Sequence, residues 1–412
     1  MQAGDASGRR YEKAVVQIRT VGTQATGVRT PIINEGDDLP EIVVDSVMAY
    51  CGEAGTPICD GDIIGITEAV VARAQGNYAT IAQIAADVRA KLPPGPVGVV
   101  FPILSRNRFA MLLKGIAAGA EGRLHIQLSY PADEVGNHII SPERLYGTDV
   151  NPSCDVFSER EFRERFDGLR HEFTGIDYLE LYRSIGGGAE IILANDPREI
   201  LKRTKNAIAA DIHTRAQTKR HLREGGAEAV FGLDDFLNES VGGSGHNEKY
   251  GLLGSNKATE DRVKLFPHSC DRFVEDVQRL VHERTGKRVE ALVYGDGAFK
   301  DPIGKIWELA DPVVSPAYSS GLVGVTSEIK LKYIADNEFA GKRGDEAREA
   351  MVKRIRDKCK REDLVGREET EGTTPRRIID LLGSLCDLVS GSGDKGTPVI
   401  LIKGFFDNYA TE

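Results

Sequence analysis

Four short stretches carry the residue types that phosphate and carboxylate chemistry requires, each where an apolar run gives way to a turn. The first is Thr30-Pro31-Ile32-Ile33-Asn34-Glu35-Gly36-Asp37-Asp38-Leu39, a strand exit meeting a helix start. Asp37 and Asp38 equally suit helix capping, because a carboxylate accepts the unpaired N–H groups of a first turn. The second runs from Asp60 to Gly76, in which the apolar IIGI ends at Thr67-Glu68 and a helical stretch begins. Such a junction points backbone N–H groups at an anion, and Arg73 lies one to two turns on, within reach of a phosphate; a capping Thr67 with a solvated Glu68 and Arg73 is the simpler alternative. The third is Gly295-Asp296-Gly297 after VEALVY, an acidic strand end of the kind that holds a divalent cation against phosphates. The fourth is Gly391-Ser392-Gly393-Asp394-Lys395-Gly396-Thr397-Pro398. Its glycines let backbone approach a ligand, Asp394 could hold a metal, and Lys395 could neutralise phosphate oxygens. None matches a P-loop or a dinucleotide fingerprint.

Strands and helices must alternate to position these stretches. Residues 13 to 20 alternate like a half-exposed strand, and helical spacing follows from Leu39. Asp60 to Gly76 reads as strand, then helix. Helices at 79 to 91 and 107 to 119 alternate with strands at 95 to 101 and 123 to 130. Residues 131 to 185 are polar and broken by proline and glycine, 189 to 194 resume a strand, and 196 to 240 read as helical with Gly-Gly breaks. The C-terminal part offers a helix at 271 to 284, a strand at 289 to 295, a charged helical stretch near 328 to 361, a helix at 376 to 389 and a strand at 397 to 404. Alternation of this kind predicts an α/β fold with mixed sheets, divided into an N-terminal α/β part at 11–130, an insertion or peripheral subdomain at 131–245 and a C-terminal part at 246–412.

The composition agrees with such a fold. At 412 residues, 41% hydrophobic and 28% charged, the chain can bury a large core. A formal charge of -10 argues against a general nucleic-acid binder, which needs a positive face to release counterions. No apolar run reaches the ~18 residues of a membrane span, and the first ten residues lack a signal core, so a cytoplasmic location is expected. The six cysteines form no CxxC pair and are expected to be reduced thiols.

Taken in order, the four stretches resemble the coenzyme F-420 γ-glutamyl ligase family. The first is similar to its EGDDL segment, the second to its strand-helix segment ending in [KR]-A-x-G, and Thr285-Gly286-Lys287-Arg288-Val289 to the stretch before its metal strand. Gly393 to Gly404 resembles its C-terminal nucleotide loop and strand. The resemblance covers 29 to 77 and 246 to 404 in patches. It implies a γ-glutamyl ligase-like fold and a homodimer. It also implies an enzyme that uses GTP (or ATP) and magnesium or manganese to join L-glutamate to a carboxylate acceptor through an acyl phosphate. The deazaflavin coenzyme precursor is the first-choice acceptor; a folate or another pterin, or a nucleotide- or metal-binding protein without ligase activity, are the alternatives. By the same resemblance Arg29, Thr30, Pro31, Thr67, Glu68, Arg73, Ser255, Asn256, Gly391, Ser392, Gly393, Lys395 and Gly396 would bind nucleotide; Asp296 and Asp394 are the metal candidates by their carboxylate chemistry, not by a motif match. The family's D-A-S-N segment falls on Leu253-Gly254-Ser255-Asn256, so its metal-binding aspartate is a leucine here. Its strand-end Asp-Thr pair falls on Gly295-Asp296. Glu68 and Glu248 are further candidates for the metal shell; His246 lies near a motif, but no catalytic base is assigned. Phe101 to Arg108 and Ser129 to Pro131 could line an altered acceptor pocket, and an ordinary loop and helix start explains them equally well.

Overall fold

The computed structural model describes residues 20–121, 123–172, 174–298, 300, 309–358, 367–390 and 394–411. The strand expected at 13 to 20 lies almost wholly outside them. The fold is mixed α/β, as expected from the alternation. Two large sheets are joined by a small three-stranded one.

The first sheet is mixed, in the order Gln24–Val28, Val399–Lys403, Ile63–Thr67, Glu290–Tyr294, Ala317–Tyr318. The strands nearest the two chain ends pair antiparallel, Gln24 opposite Lys403 and Val28 opposite Val399, while Ile63–Thr67 runs parallel to Glu290–Tyr294. Side chains alternate across a strand, so each apolar run serves two cores. Ile64, Ile66, Ala291 and Val293 pack with the Leu39–Ala54 and Cys270–Thr285 helices. Ile63, Leu292 and Tyr294 face the opposite way, onto Ile379, Leu382 and Cys386 of the Ile378–Ser390 helix. Gly65 sits on that second face because a Cβ there would lie 2.4 Å from the Cys386 sulfur.

The second sheet has six strands, ordered Phe157–Ser158, Glu190–Leu193, Leu124–Leu128, Val97–Val100, Asn206–Ala209, Ala229–Gly232. Five are parallel and only the first is antiparallel. Val97–Val100 and Leu124–Leu128 are buried along their whole length, the mark of strands covered on both faces. In chain order the parallel strands run third, second, first, fourth, fifth. The order therefore reverses beside Val97–Val100, and doubly wound sheets open a ligand crevice at the C-terminal ends of the strands at such a point.

The strands at 206–209 and 229–232 replace part of the helical reading of 196 to 240, leaving an α-helix at Arg215–Glu224 and short 3-10 turns at Pro197–Lys202 and Leu233–Asp235. Runs such as NAIA and AVFG are too short for periodicity to separate strand from helix. Residues 131 to 185, read as polar and irregular, contribute Phe162, Phe166, Tyr178, Leu179 and Tyr182 to the same core as Val97, Val99 and Ile126. Tyr78–Thr80, Arg262–Lys264 and Asn256–Lys257 form the small sheet linking the two large ones.

Candidate functional site

Register brings the four chemistry-bearing stretches to one edge of the mixed sheet. Val28 lies opposite Val399, Val399 opposite Ile66, and Thr67 opposite Tyr294. The Thr67 amide donates to the Pro398 carbonyl at 3.0 Å. The chain therefore leaves this rim at Arg29, Glu68 and Gly295 and enters it through Asp394 to Pro398.

Not every residue there points its chemistry outward. Asp38 caps the Leu39–Ala54 helix by accepting from the Glu41 amide, and Asp37 accepts from the Asn34 amide at 2.6 Å, so both serve the turn. The Arg73 Nε donates to the Ile33 carbonyl, and the Gly36 amide donates to the Ala74 carbonyl at 2.9 Å, stitching the first stretch to the second. Thr67 precedes the Glu68–Ala74 helix without a side-chain cap bond. Arg29 and Pro31 are exposed and Thr30 is half-buried. Asp394, Lys395 and Gly396 are exposed in a turn, with Gly396 at φ +65°. Gly391, Ser392 and Gly393 lie outside the described residues.

The buried centre of the rim is an array of carboxylates answered by two cations from neighbouring elements. Glu68 is met by Lys264 of the small sheet at 2.7 and 2.5 Å, with only 7% and 11% of the two side chains exposed. Arg108, at the start of the Phe109–Gly119 helix, bridges Asp296 at 2.5 Å and Asp311 at 2.7 Å. Asp311 in turn accepts from the Asp296 amide at 2.9 Å. Asp387 of the Ile378–Ser390 helix accepts from the Gly297 amide at 2.8 Å. The chain must pass close here. A Cβ on Gly295 would lie 2.3 Å from an Asp311 oxygen, and one on Gly297 would lie 2.9 Å from the Ser384 Cα.

Burial sets the electrostatics. It pushes the Asp296 carboxyl up to about 7, with the Asp311 charge adding and Arg108 opposing. Burial also raises Glu68 against the pull of Lys264, and raises Asp387 against its bond from Gly297. The charge of Asp311 holds the Arg108 proton more tightly despite burial. A carboxyl titrating near neutrality beside a fixed guanidinium is suited to hold or release one proton at working pH.

The D-A-S-N-like stretch lies against this array. Leu253 and Ser255 line a cavity of about 20 Å³ together with Arg108, and the Ser255 hydroxyl donates to the Leu252 carbonyl at 2.8 Å. Asn256 accepts from Asn107 at 3.3 Å. Among the described residues, no group of three or more His, Cys, Asp or Glu side chains is arranged to hold a metal ion. Asp296 and Asp311 are bridged by Arg108, Glu68 is bound by Lys264, Leu253 offers no donor and Asp394 stands in an exposed turn. The donor set as it stands does not fit a divalent cation.

Sequence reasoning missed Lys264, Asp311 and Asp387, and placed Arg108 only in a segment that could line an acceptor pocket. Arg108 closes the loop that leaves Val97–Val100, the strand at the switch point, which is a usable signal. Lys264 is one lysine in a three-residue strand, and nothing in the sequence sets it apart.

The sequence model of the F420-0:Gamma-glutamyl ligase family matches residues 27–404. The coenzyme F420:L-glutamate ligase of Methanocaldococcus jannaschii is 24% identical over 161 residues, which are 38% of this chain and 49% of that protein. The chain thus spans about half the length of this curated relative. With a match running from the first described strand to the last, this chain belongs to the F420-0:Gamma-glutamyl ligase family.

Proposed function

We propose that the chain is a nucleotide-dependent γ-glutamyl ligase that adds L-glutamate to a small-molecule carboxylate, with the F420-0 deazaflavin precursor as the acceptor to try first and GTP as the first nucleotide. The observation that carries this reading is the family match over 27–404, within which all four chemistry-bearing stretches meet at one rim. A carboxylate is a poor electrophile, so its oxygen must first be phosphorylated; donors fixed in advance stabilise the charge that this transfer develops. Arg29, Thr30, Lys395 and the backbone around Gly396 are free to meet a triphosphate at the rim, because their side chains are exposed or half-buried. Asp296, near neutrality and beside Arg108, is the carboxyl best placed to accept the proton that the glutamate ammonium must lose. Magnesium or manganese remains the expectation from the resemblance; because the carboxylates here are already engaged, no step is assigned to the ion.

The test is incubation of the full chain with GTP or ATP, magnesium or manganese, L-glutamate and a panel of acceptors, read by mass. Glutamylation of F420-0 supports the reading in full. Glutamylation of a folate or pterin alone keeps the ligase and moves the acceptor. Failure with every acceptor, with no nucleotide turnover dependent on glutamate, overturns it.

A further inference from the structure

A pocket of about 650 Å³ opens at the C-terminal end of Val97–Val100, where the strand order of the parallel sheet reverses. Its wall is the loop from Ile103 to Arg108, and across it stand Asn137, His171, Tyr178, Lys257 and Asp296. This volume suits a drug-sized ligand.

The wall is fixed from behind by buried polar groups. Asp133 accepts from the amides of Leu104 (2.8 Å), Val135 (3.1 Å) and Asn137 (2.8 Å) and from the Asn137 side chain (2.7 Å). The Tyr182 hydroxyl accepts from the Ser105 amide at 2.9 Å and donates to the Ile103 carbonyl at 2.6 Å. His171 takes the Thr174 amide on Nδ1 at 3.1 Å, leaving Nε2 to donate to Asn137 Oδ1 at 3.3 Å. At the base, Phe101 leaves the strand at φ +55°, a conformation that L side chains rarely adopt and that the surrounding packing must hold. The pocket is therefore built in advance of any ligand.

Its charge is opposite to that of the chain. Arg106, Arg108 and Lys257 line it against a single carboxylate, Asp296, in a protein of net charge -10. Arg108 is shared with Asp296 and Asp311, and Lys257 with the exposed Glu260. Arg106, exposed in the wall, makes no ion pair among the described residues. Ile103, Leu104, Val135, Tyr178 and Ala310 give the pocket an apolar and aromatic side, and neutral polar groups such as Ser105, Asn107 and Thr174 complete the lining.

We propose that this pocket binds a small molecule carrying a phosphate or carboxylate anion on an apolar body, with Arg106 and Lys257 as the anchoring cations. Planar guanidinium donors match either oxyanion. The binding claim stands on the pocket alone; that its occupant is the acceptor of the ligase reaction rests on the function proposed above. The pocket reaches the rim through Arg108 and Asp296, so an anion held by Arg106 lies on the same guanidinium-carboxylate array.

The test uses the full chain without nucleotide or glutamate, titrated with naphthyl phosphate and naphthoate, and with neutral naphthol, followed by fluorescence. Saturable binding of at least one anion, about tenfold or more tighter than naphthol, is expected. Arg106→Ala and Lys257→Ala should each weaken the anion by about tenfold and leave naphthol unchanged, with Arg106→Lys restoring part of the loss. Both positions are exposed, so folding should be unaffected, and unchanged melting curves check this. Equal affinity for anions and naphthol, no binding of either anion, or unchanged anion binding in Arg106→Ala overturns the proposal. Because no glutamylation is read, its failure is separate from failure of the ligase reading.

Discussion

Removing the charge of Asp296 should stabilise the fold at alkaline pH while abolishing the reaction. The carboxyl rises from its ordinary 3.8 to about 7, chiefly through burial and then through the Asp311 charge. A raised carboxyl favours the protonated form in the folded state, so its contribution is present below pH 3.8 and lost as pH rises to about 7. At ~1.4 kcal/mol per pH unit this rise amounts to ~4 kcal/mol of lost stability at most. Water reaches 30% of the side chain, and Arg108 re-forms on Asp311 alone in the variant, so a net difference of ~2 kcal/mol is the reasonable expectation. Asp296→Asn keeps the shape and an oxygen for Arg108. Urea unfolding of both proteins at pH 5 and pH 8.5 should show the variant gaining ~1 kcal/mol on the parent between the two conditions, because only the part of the window above pH 5 lies between them. In the same preparations, glutamylation should fall below detection. Parallel pH dependence in the two proteins would refute the burial argument, and full activity in the variant would remove Asp296 from the proton-accepting role.

Three further outcomes follow from the same array. Lys264→Met should cost ~3–5 kcal/mol at neutral pH by leaving Glu68 buried and unpaired, and Glu68→Gln added to it should recover much of that in urea melts. Since Glu68 is raised, the Lys264→Met penalty shrinks as pH falls and the carboxyl protonates, and a pH-independent penalty would contradict the assignment. Gly295→Ala should cost ~1–3 kcal/mol and displace Asp311, because the new methyl would sit 2.3 Å from its oxygen; thermal melts and activity should fall together. His171 is held below its ordinary 6.5 by burial, so the stability it contributes is intact above pH 6.5 and declines as pH falls below it. Replacing it with Asn should flatten that part of the stability profile in pH-dependent melts.

The rim was legible because strand exits announce themselves: IIGIT ends in Thr, VEALVY runs straight into Gly-Asp and TPVILIKG begins in Thr, and in an α/β sheet such ends collect on one edge. Asp37 and Asp38 show the limit of that logic, since side chains fit for a ligand were taken by the turn itself. The central sheet was only partly visible. Val97–Val100 opens the longer apolar stretch VGVVFPIL and Leu124–Leu128 alternates apolar and polar residues, whereas Asn206–Ala209 and Ala229–Gly232 are four residues each between charged flanks, where periodicity carries little information. The ion partners were least legible. Arg108 meets Asp296 from 188 positions away, and Lys264 meets Glu68 from 196, so their pairing is a product of tertiary packing alone.

The proposed reaction activates a carboxylate by phosphorylating it before an amine attacks. F420-0, or whichever acceptor the panel identifies, prepared with heavy oxygen in its carboxylate and incubated with the full chain, GTP and L-glutamate, tests this directly. The expected result is one heavy oxygen in the released inorganic phosphate for each glutamyl group added; glutamylated product accompanied by unlabelled phosphate would contradict the account.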